Sequence, residues 1–383
     1  MSTSADTSPS HARLAAPDLL RGLVIMLMAL DHVRDFFVHL NFNPTDLSAT
    51  SPAWFLTRWI THLCAPAFVL LAGLAAWLRM QRVGAAAQSR YLLQRGALLI
   101  LLEVSWINFS WQFEFGLIVF QVIWALGVAM LALGLALWLP RAALIALAAL
   151  LILPHNLLDA WHSESAPLWL KIWHQSGGAK IAGLKLYFLY PLMPWIGLML
   201  AGFAIGPLCR AAPMQRSRHW LHIGLMLLLA FVLLRSGNWY GDPHPWRVHS
   251  NGAVYSLLSF INVHKYPPSL QYLCLFVGLA MLLLAALENM PPGWWRESLA
   301  LFGRHPLLFY CLHIAVLHAA GMLWMEWRYG PVAYSAGQGR QLPPEYAPSL
   351  LLCYSVWLLA LLLFALFLRT WENRRDKRRV ASA

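Results

Sequence analysis

The chain has 383 residues, of which 60% are hydrophobic and only 11% charged, with 20 tryptophans. A soluble domain carries roughly a quarter charged residues. That class is therefore excluded, and apolar stretches of near-bilayer length along the whole chain indicate a polytopic helical membrane protein. The formal net charge of +12 does not signal nucleic-acid binding, because the basic residues sit between spans and at the C-terminus, where they set membrane orientation.

The length rule for bilayer helices predicts an all-α bundle of about ten spans. In chain order their cores are Leu19–Leu40, Ala53–Leu78, Tyr91–Trp111, Leu117–Leu139, Ala142–Leu157, Tyr187–Leu208, Trp220–Leu234, Ser269–Glu288, Leu299–Met325 and Ser349–Leu368. Basic residues divide as roughly 18 inside to 10 outside when both termini are cytoplasmic, which sets an N-in, C-in orientation. Residues 1–16 are then a cytoplasmic tail, 17–370 the transmembrane domain, and 371–383 a basic tail that pins the last helix to an anionic inner leaflet. The expected location is multi-pass in the cytoplasmic (inner) membrane. The long outer segments are Asp159–Leu186, Ser236–Pro268 and Glu326–Pro348, and long loops on one face commonly carry recognition. The first apolar run is too long for a cleaved signal and lacks a small-residue cleavage site.

That first span opens with Asp18-Leu19-Leu20-Arg21-Gly22 and ends with Asp31-His32-Val33-Arg34-Asp35. Ionisable side chains in a membrane helix are costly and usually face a bundle interior or a water-filled path. Helical spacing puts His32, Asp35 and His39 on one stripe and Asp31 and Arg34 on the next. A carboxylate beside an imidazole orients it for general-base work. The structural alternative is a salt-bridged interfacial anchor.

In the second span, Arg58 and His62 lie one turn apart and precede Cys64-Ala65-Pro66. Pro66 has no N–H, so the His62 carbonyl loses its helical partner and the helix should kink there. Glu103, mid-way along the third span, must pair or stay protonated; Arg58 or a histidine is the expected partner, and Arg95 and Glu103 could equally be structural. Further on come His155-Asn156-Leu157-Leu158-Asp159, His264-Lys265-Tyr266-Pro267-Pro268 and Gly303-Arg304-His305-Pro306. Asn156 and Asp159 suit a helix cap. Lys265 and Tyr266 offer donors from a stiff loop to a substrate anion or hydroxyl. Arg304, two residues before a proline at a helix start, suits a phosphate on the inner face. The five cysteines fall in or at the edges of spans, as small buried hydrophobes do. No metal-ligand spacing, phosphate-binding glycine loop or hydrolase motif occurs, so no metal or haem is expected.

The segments Asp18-Leu-Leu-Arg-Gly, Leu30-Asp-His-Val-Arg-Asp, Pro44-Thr-Asp-Leu, Thr57-Arg-Trp-Ile-Thr-His-Leu-Cys-Ala-Pro, Leu71-Ala-Gly, His155-Asn-Leu-Leu-Asp, Tyr190-Pro-Leu-Met-Pro-Trp-Ile-Gly and His264-Lys-Tyr-Pro-Pro-Ser resemble bacterial membrane proteins with a heparan-alpha-glucosaminide N-acetyltransferase catalytic domain. The resemblance covers about residues 13 to 370. It implies transfer of acetyl from cytosolic acetyl-CoA to an amino sugar across the membrane, with a histidine on the far side as the working residue. Sugar O-acyltransferases of the wider superfamily carry an Arg and a later His in the first helix, similar to Arg21 and His32. The lysosomal members have an extra luminal domain and place their histidine later, so the carried-over histidine is His32 or His39.

Acyl transfer from a thioester needs a base for the acceptor, a stabiliser for the oxyanion, and a route between donor and acceptor. The expected assignments are His32 as general base or transient acyl carrier, with Asp31 or Asp35 orienting it, and His62 and Arg58 beside it. Arg34, Glu103, His155, Asn156, Asp159, His264, Lys265 and Tyr266 are expected to meet the acceptor. Arg21, Arg95 and Arg304 are expected to hold the phosphates of acetyl-CoA. The expected partners are the lipid bilayer, acyl-CoA and a sugar or glycan acceptor, with self-association left open. Two rivals stand beside this reading. Buried His, Asp and Glu would also serve a proton-coupled transporter, and His305 and His318, 13 residues apart, could ligate haem.

Overall fold

The computed structural model describes residues 14–330 and 346–381. The N-terminal tail and most of the Glu326–Pro348 segment lie outside the described residues. The helices are α1 (Ala15–Phe37), α2 (Pro52–Ile60), α3 (Cys64–Val83), α4 (Ala85–Leu102), α5 (Asn108–Gln112), α6 (Val122–Ala136), α7 (Arg141–Ile152), α8 (Leu168–Trp173), α9 (Leu192–Ala204), α10 (Pro213–Gly237), α11 (Ala253–Ile261), α12 (Leu270–Glu288), α13 (Trp294–Arg304), α14 (Pro306–Tyr329) and α15 (Leu350–Ala381). Three short strands, β1 (Leu117–Phe120), β2 (Gly177–Ile181) and β3 (Leu184–Phe188), form one small sheet.

Among the described residues, eight helical segments are long and apolar enough to cross a membrane. They are α2–α3, α4–α5, α7 with its terminal turn, α9, α10, α12, α14 and α15. Helix α6 is apolar but shorter, and α1 is long enough but carries Asp31, Arg34 and Asp35. Eight of the ten expected spans thus have a helix that qualifies as a crossing, α1 and α6 occupy the places of the other two, and the protein is an all-α, multi-pass bundle.

The breaks in these helices have local causes. Between α2 and α3 the chain tightens into a 3-10 turn over Thr61–Leu63, immediately ahead of Pro66. The carbonyl of His62 that Pro66 strands accepts a hydrogen bond from the Tyr272 hydroxyl at 2.7 Å. Helix α4 passes into α5 through one π turn, Glu103–Ile107; such turns recur at functional positions. The expected ninth span from Leu299 is broken at its start. Pro306 cannot continue a helix from Gly303 and Arg304, so α13 is a separate amphipathic helix and the crossing begins at Pro306. The expected fourth span likewise begins later, because Leu117–Phe120 is strand β1.

Glycines set how closely the helices cross. A Cβ on Gly22 would lie 1.9 Å from the Leu299 carbonyl oxygen, and one on Gly303 would lie 1.9 Å from that of Asp18. Helices α1 and α13 therefore touch backbone to backbone. Gly73 and Gly202 do the same for α3 and α9, with Cβ approaches of 2.1 Å to the Met199 oxygen and 2.3 Å to the Leu70 oxygen. Lipid gives helices no hydrophobic reason to associate, so close van der Waals packing through small residues supplies the attraction. Helix α1 lies at the centre, packed against α3, α12, α13, α14 and α15, with Leu20, Val24, Ile25 and Ala29 fully buried.

In the sheet, β3 is central. It runs parallel to β1, with Leu117 opposite Lys185, and antiparallel to β2, with Gly177 opposite Phe188. Ala182 and Gly183 join β2 to β3 with positive φ at both residues, the conformation that a two-residue hairpin turn requires. The sheet joins the start of α6 to the segment before α9, at the end of the bundle where α1 finishes. That end is the outer face if the arginine-rich face is cytoplasmic.

Candidate active site

The end of α1, the α2–α3 turn and the loop before α12 converge on one chamber of about 270 Å³. Its polar lining includes Asp31, His32, Arg34, Asp35, Arg58, Lys265 and Tyr266. These residues come from three stretches far apart in sequence. Asp31 is held between Arg34, at 2.8 Å, and Arg58, in a closer ion pair. Arg34 also binds Asp35 at 2.5 Å. The Arg58 guanidinium reaches the Tyr266 hydroxyl at 3.5 Å, and the Lys265 ammonium lies 5.0 Å from the centre of the Tyr266 ring. Three cations thus face two carboxylates. The chamber has one cation in excess and favours an anion or an oxyanion.

Tyr266 lies outside the spans. Burial pushes its phenol up, and the Lys265 and Arg58 cations more than offset this, holding it below its ordinary value. It is the better hydrogen-bond donor for that.

His32 sits among these charges without being consumed by them. Its Nδ1 is 3.9 Å from the nearer Asp35 oxygen, beyond hydrogen-bond range, and has no hydrogen-bond partner among the described residues. Its ring stands edge-on to Trp111 and to His313, each with centroids 5.0 Å away. The Nδ1 of His313 lies 2.9 Å from the Phe309 carbonyl, which assigns its proton to that nitrogen. The other nitrogen, Nε2, is buried and unpartnered among the described residues.

The remaining sequence-predicted residues divide by place. His62 lies behind the chamber wall, its ring packed on Tyr272 and Phe276. His39 follows the end of α1, and its backbone N–H is bonded to the Tyr346 hydroxyl. Glu103 is fully buried, and its partner is neither Arg58 nor a histidine: its carboxylate accepts the backbone N–H of Trp124 at 3.0 Å. The first turn of α6 exposes unpaired N–H groups at the positive end of its dipole, which is what a buried carboxylate needs. His155, Asn156 and Asp159 gather outside the chamber, around His174. His264 faces His244, with rings 4.8 Å apart; burial and then His244 push its imidazole below the ordinary value.

The inner-face arginines do not converge as expected. Arg21 and Arg95, joined by Arg79 and Gln88, line a second cavity of about 270 Å³. Arg304 lies apart, clamped to Glu372 of α15 by two bonds of 2.8 and 2.9 Å, in a basin shared with Arg296 and Arg369. The lining of that second cavity takes Pro306 and Leu307 from α14 and, among the described residues, none from α13. His305 binds the same Glu372 at 2.8 Å, whereas His318 bonds the Ser110 carbonyl and stacks between Phe36 and Phe113.

The two cavities share a wall. Met28, Phe68, Val122 and Tyr310 line both. The inner, arginine-lined cavity therefore abuts the chamber of His32 through a mostly apolar collar. Tyr310, Trp111 and Gln121 escaped the sequence reading, since single aromatics and amides in spans look like ordinary packing, and Arg79 reads from sequence only as one of the basic residues that set orientation. Tyr190, also in the chamber lining, could have been found, because it opens the Tyr190-Pro-Leu-Met-Pro motif.

Fold and site together define a multi-pass membrane protein with a histidine-containing chamber inside the bundle and a basic cavity on the other side of its wall. The chain belongs to the family described as heparan-alpha-glucosaminide N-acetyltransferase, catalytic, whose model matches residues 13–239. That match takes in α1 to α10, and so the His32, Arg58 and Tyr190 walls of the chamber and every arginine of the inner cavity. A search of the curated proteins finds no match.

Proposed function

We propose that this protein moves an acyl group from cytosolic acyl-CoA to an amino or hydroxyl group of an extracytoplasmic sugar, in the cytoplasmic membrane. The observation that carries this reading is the shared collar. A phosphate-bearing donor needs cations at the inner end and a narrow apolar path for its arm. The acceptor needs a base and an oxyanion stabiliser at the outer end. Arg21 and His32 are eleven residues apart on one helix, about 16 Å along its axis, so a long thin donor arm would span from one cavity to the other.

In this reading Arg21, Arg79 and Arg95 hold the donor's phosphates. The arm passes Met28, Phe68, Val122 and Tyr310 and presents its thioester to His32. His32 takes the proton from the acceptor's hydroxyl or amine as that atom attacks the carbonyl carbon. The carbonyl π electrons move to oxygen, where Arg58, Lys265 and the Tyr266 hydroxyl stabilise the charge. Collapse of the intermediate breaks the carbon–sulfur bond, and the CoA thiolate takes back the proton. If His32 carries the acyl group itself, the same chamber serves both half-reactions, and acyl-CoA alone gives a burst of free CoA.

Purified protein in proteoliposomes, given radiolabelled acetyl-CoA outside or inside, tests this directly. Label should appear on a saccharide acceptor, or as acetyl release, with an equivalent of free CoA. The ion-pair network in a path through the bundle also suits a proton-coupled transporter. Solute uptake driven by a pH gradient, with acetyl-CoA left intact, would establish that reading instead.

A further inference from the structure

A second polar cluster lies outside the chamber, where the end of α7 meets the end of α8. The 3-10 turn His155–Trp161 follows α7, and three residues per turn bring positions three apart onto one edge. Asp159 and His162 share such an edge. His174 caps the C-terminus of α8 and brings its ring in from the other side. The Asp159 Oδ1 is 2.8 Å from His174 Nε2 and 3.8 Å from His162 Nε2. One ligand atom from each of the three residues falls within 4.8 Å of the others. A tetrahedral metal with bonds of about 2.0–2.1 Å sets its donors about 3.3 Å apart, so side-chain rotations that close the widest separation by at most about 1.5 Å would seat one.

An independent observation points to a ligand here. His155 is 1% exposed, and neither of its ring nitrogens has a hydrogen-bond partner among the described residues. Its ring lies 5.3 Å from that of His174. A buried imidazole must hold a donor and an acceptor, and leaving both unsatisfied is costly. The support around the cluster is also built: Asn156 donates to the other Asp159 oxygen at 2.8 Å, while its own carbonyl accepts the Leu270 N–H at 2.9 Å. Such outer partners fix a ligating carboxylate and leave one oxygen aimed at the centre.

We propose that Asp159, His162 and His174, with the buried His155 ring beside them, form a binding site for a divalent cation of the zinc class on the outer side of the protein. Imidazoles with one carboxylate suit zinc better than the oxygen-seeking magnesium or calcium. The bound ion would tie the end of α7 to the end of α8 and through Asn156 to the start of α12. The inference does not depend on acyl transfer.

The test uses the full chain in detergent, with any affinity tag removed, stripped by chelator and titrated with zinc chloride. One equivalent should bind, and binding should raise the melting temperature. His162 is exposed, so His162→Gln should leave the metal-free melting temperature unchanged. It should weaken zinc at least about tenfold and remove the zinc-dependent rise. His174→Ala should lose the equivalent altogether. His244→Gln, beside His264, should keep it. The proposal is overturned if the wild type takes up no stoichiometric zinc. It is equally overturned if the equivalent survives both His162→Gln and His174→Ala, or is lost only in His244→Gln.

Discussion

His32 and His39 lie seven residues apart, and at the scale of single residues the structure separates them. His32 lines the chamber and keeps a buried Nδ1, unpartnered among the described residues, near Asp35, while His39 has left the helix. His32→Ala should reduce transfer by about 100-fold to 10,000-fold, the usual cost of removing a positioned base, with folded protein retained. His39→Ala should stay active, and a dead His39→Ala beside an active His32→Ala would move the catalytic role to the loop. Asp35→Asn should give a milder lesion than His32→Ala, since the carboxylate acts at 3.9 Å through its field and not through a bond. The inner arginines make a second contrast. Arg95→Ala should weaken acetyl-CoA binding, whereas Arg304→Ala should leave the binding isotherm unchanged, because Arg304 is committed to Glu372. Equal weakening by both would join the α13 basin to the donor site.

The crossing of α1 over α13 positions Arg21, and it depends on two glycines whose added Cβ would strike backbone oxygens. Backbone cannot swing aside as a side chain does, so Gly303→Ala should destabilise by about 3 kcal/mol, the upper part of the overpacking range. The same change at Gly116, where a Cβ meets nothing within 4 Å, should be neutral. Thermal unfolding in detergent compares the two, and equal melting temperatures would refute the packing argument. The kink between α2 and α3 was legible, because a proline's missing N–H strands a carbonyl whatever the tertiary setting. The break before Pro306 was underestimated for the complementary reason. The apolar pattern runs on through Leu299–Phe302 while the backbone turns, and periodicity alone does not report a turn inside an apolar run.

For the whole molecule, an N-in, C-in orientation as expected from the basic-residue bias would put the His32 chamber toward the outer side. Cysteines introduced near Trp173 and Pro245 should react with an impermeant reagent added from outside. Labelling only after permeabilisation would invert the bundle and with it the direction of transfer. The collar makes a separate demand. Val122→Trp would fill the wall shared by the two cavities, so it should abolish transfer while acetyl-CoA still binds at the inner arginines. Retained transfer would mean that the donor arm does not pass there.

The all-α multi-pass class and the charged first helix were determined by sequence alone, because burying apolar surface in lipid needs only length and composition. The charged residues of the chamber and His32 were also visible there, since ionisable groups inside apolar runs are costly wherever they sit. The partners were not. Glu103 found a helix N-terminus instead of an arginine, Arg304 found Glu372, and Asp159 found His174 across a loop. Each of these choices turns on distances of an ångström or two between segments remote along the chain. Only the packing of the helices, drawn close by their glycines, decides which of many chemically suitable groups come within reach of one another.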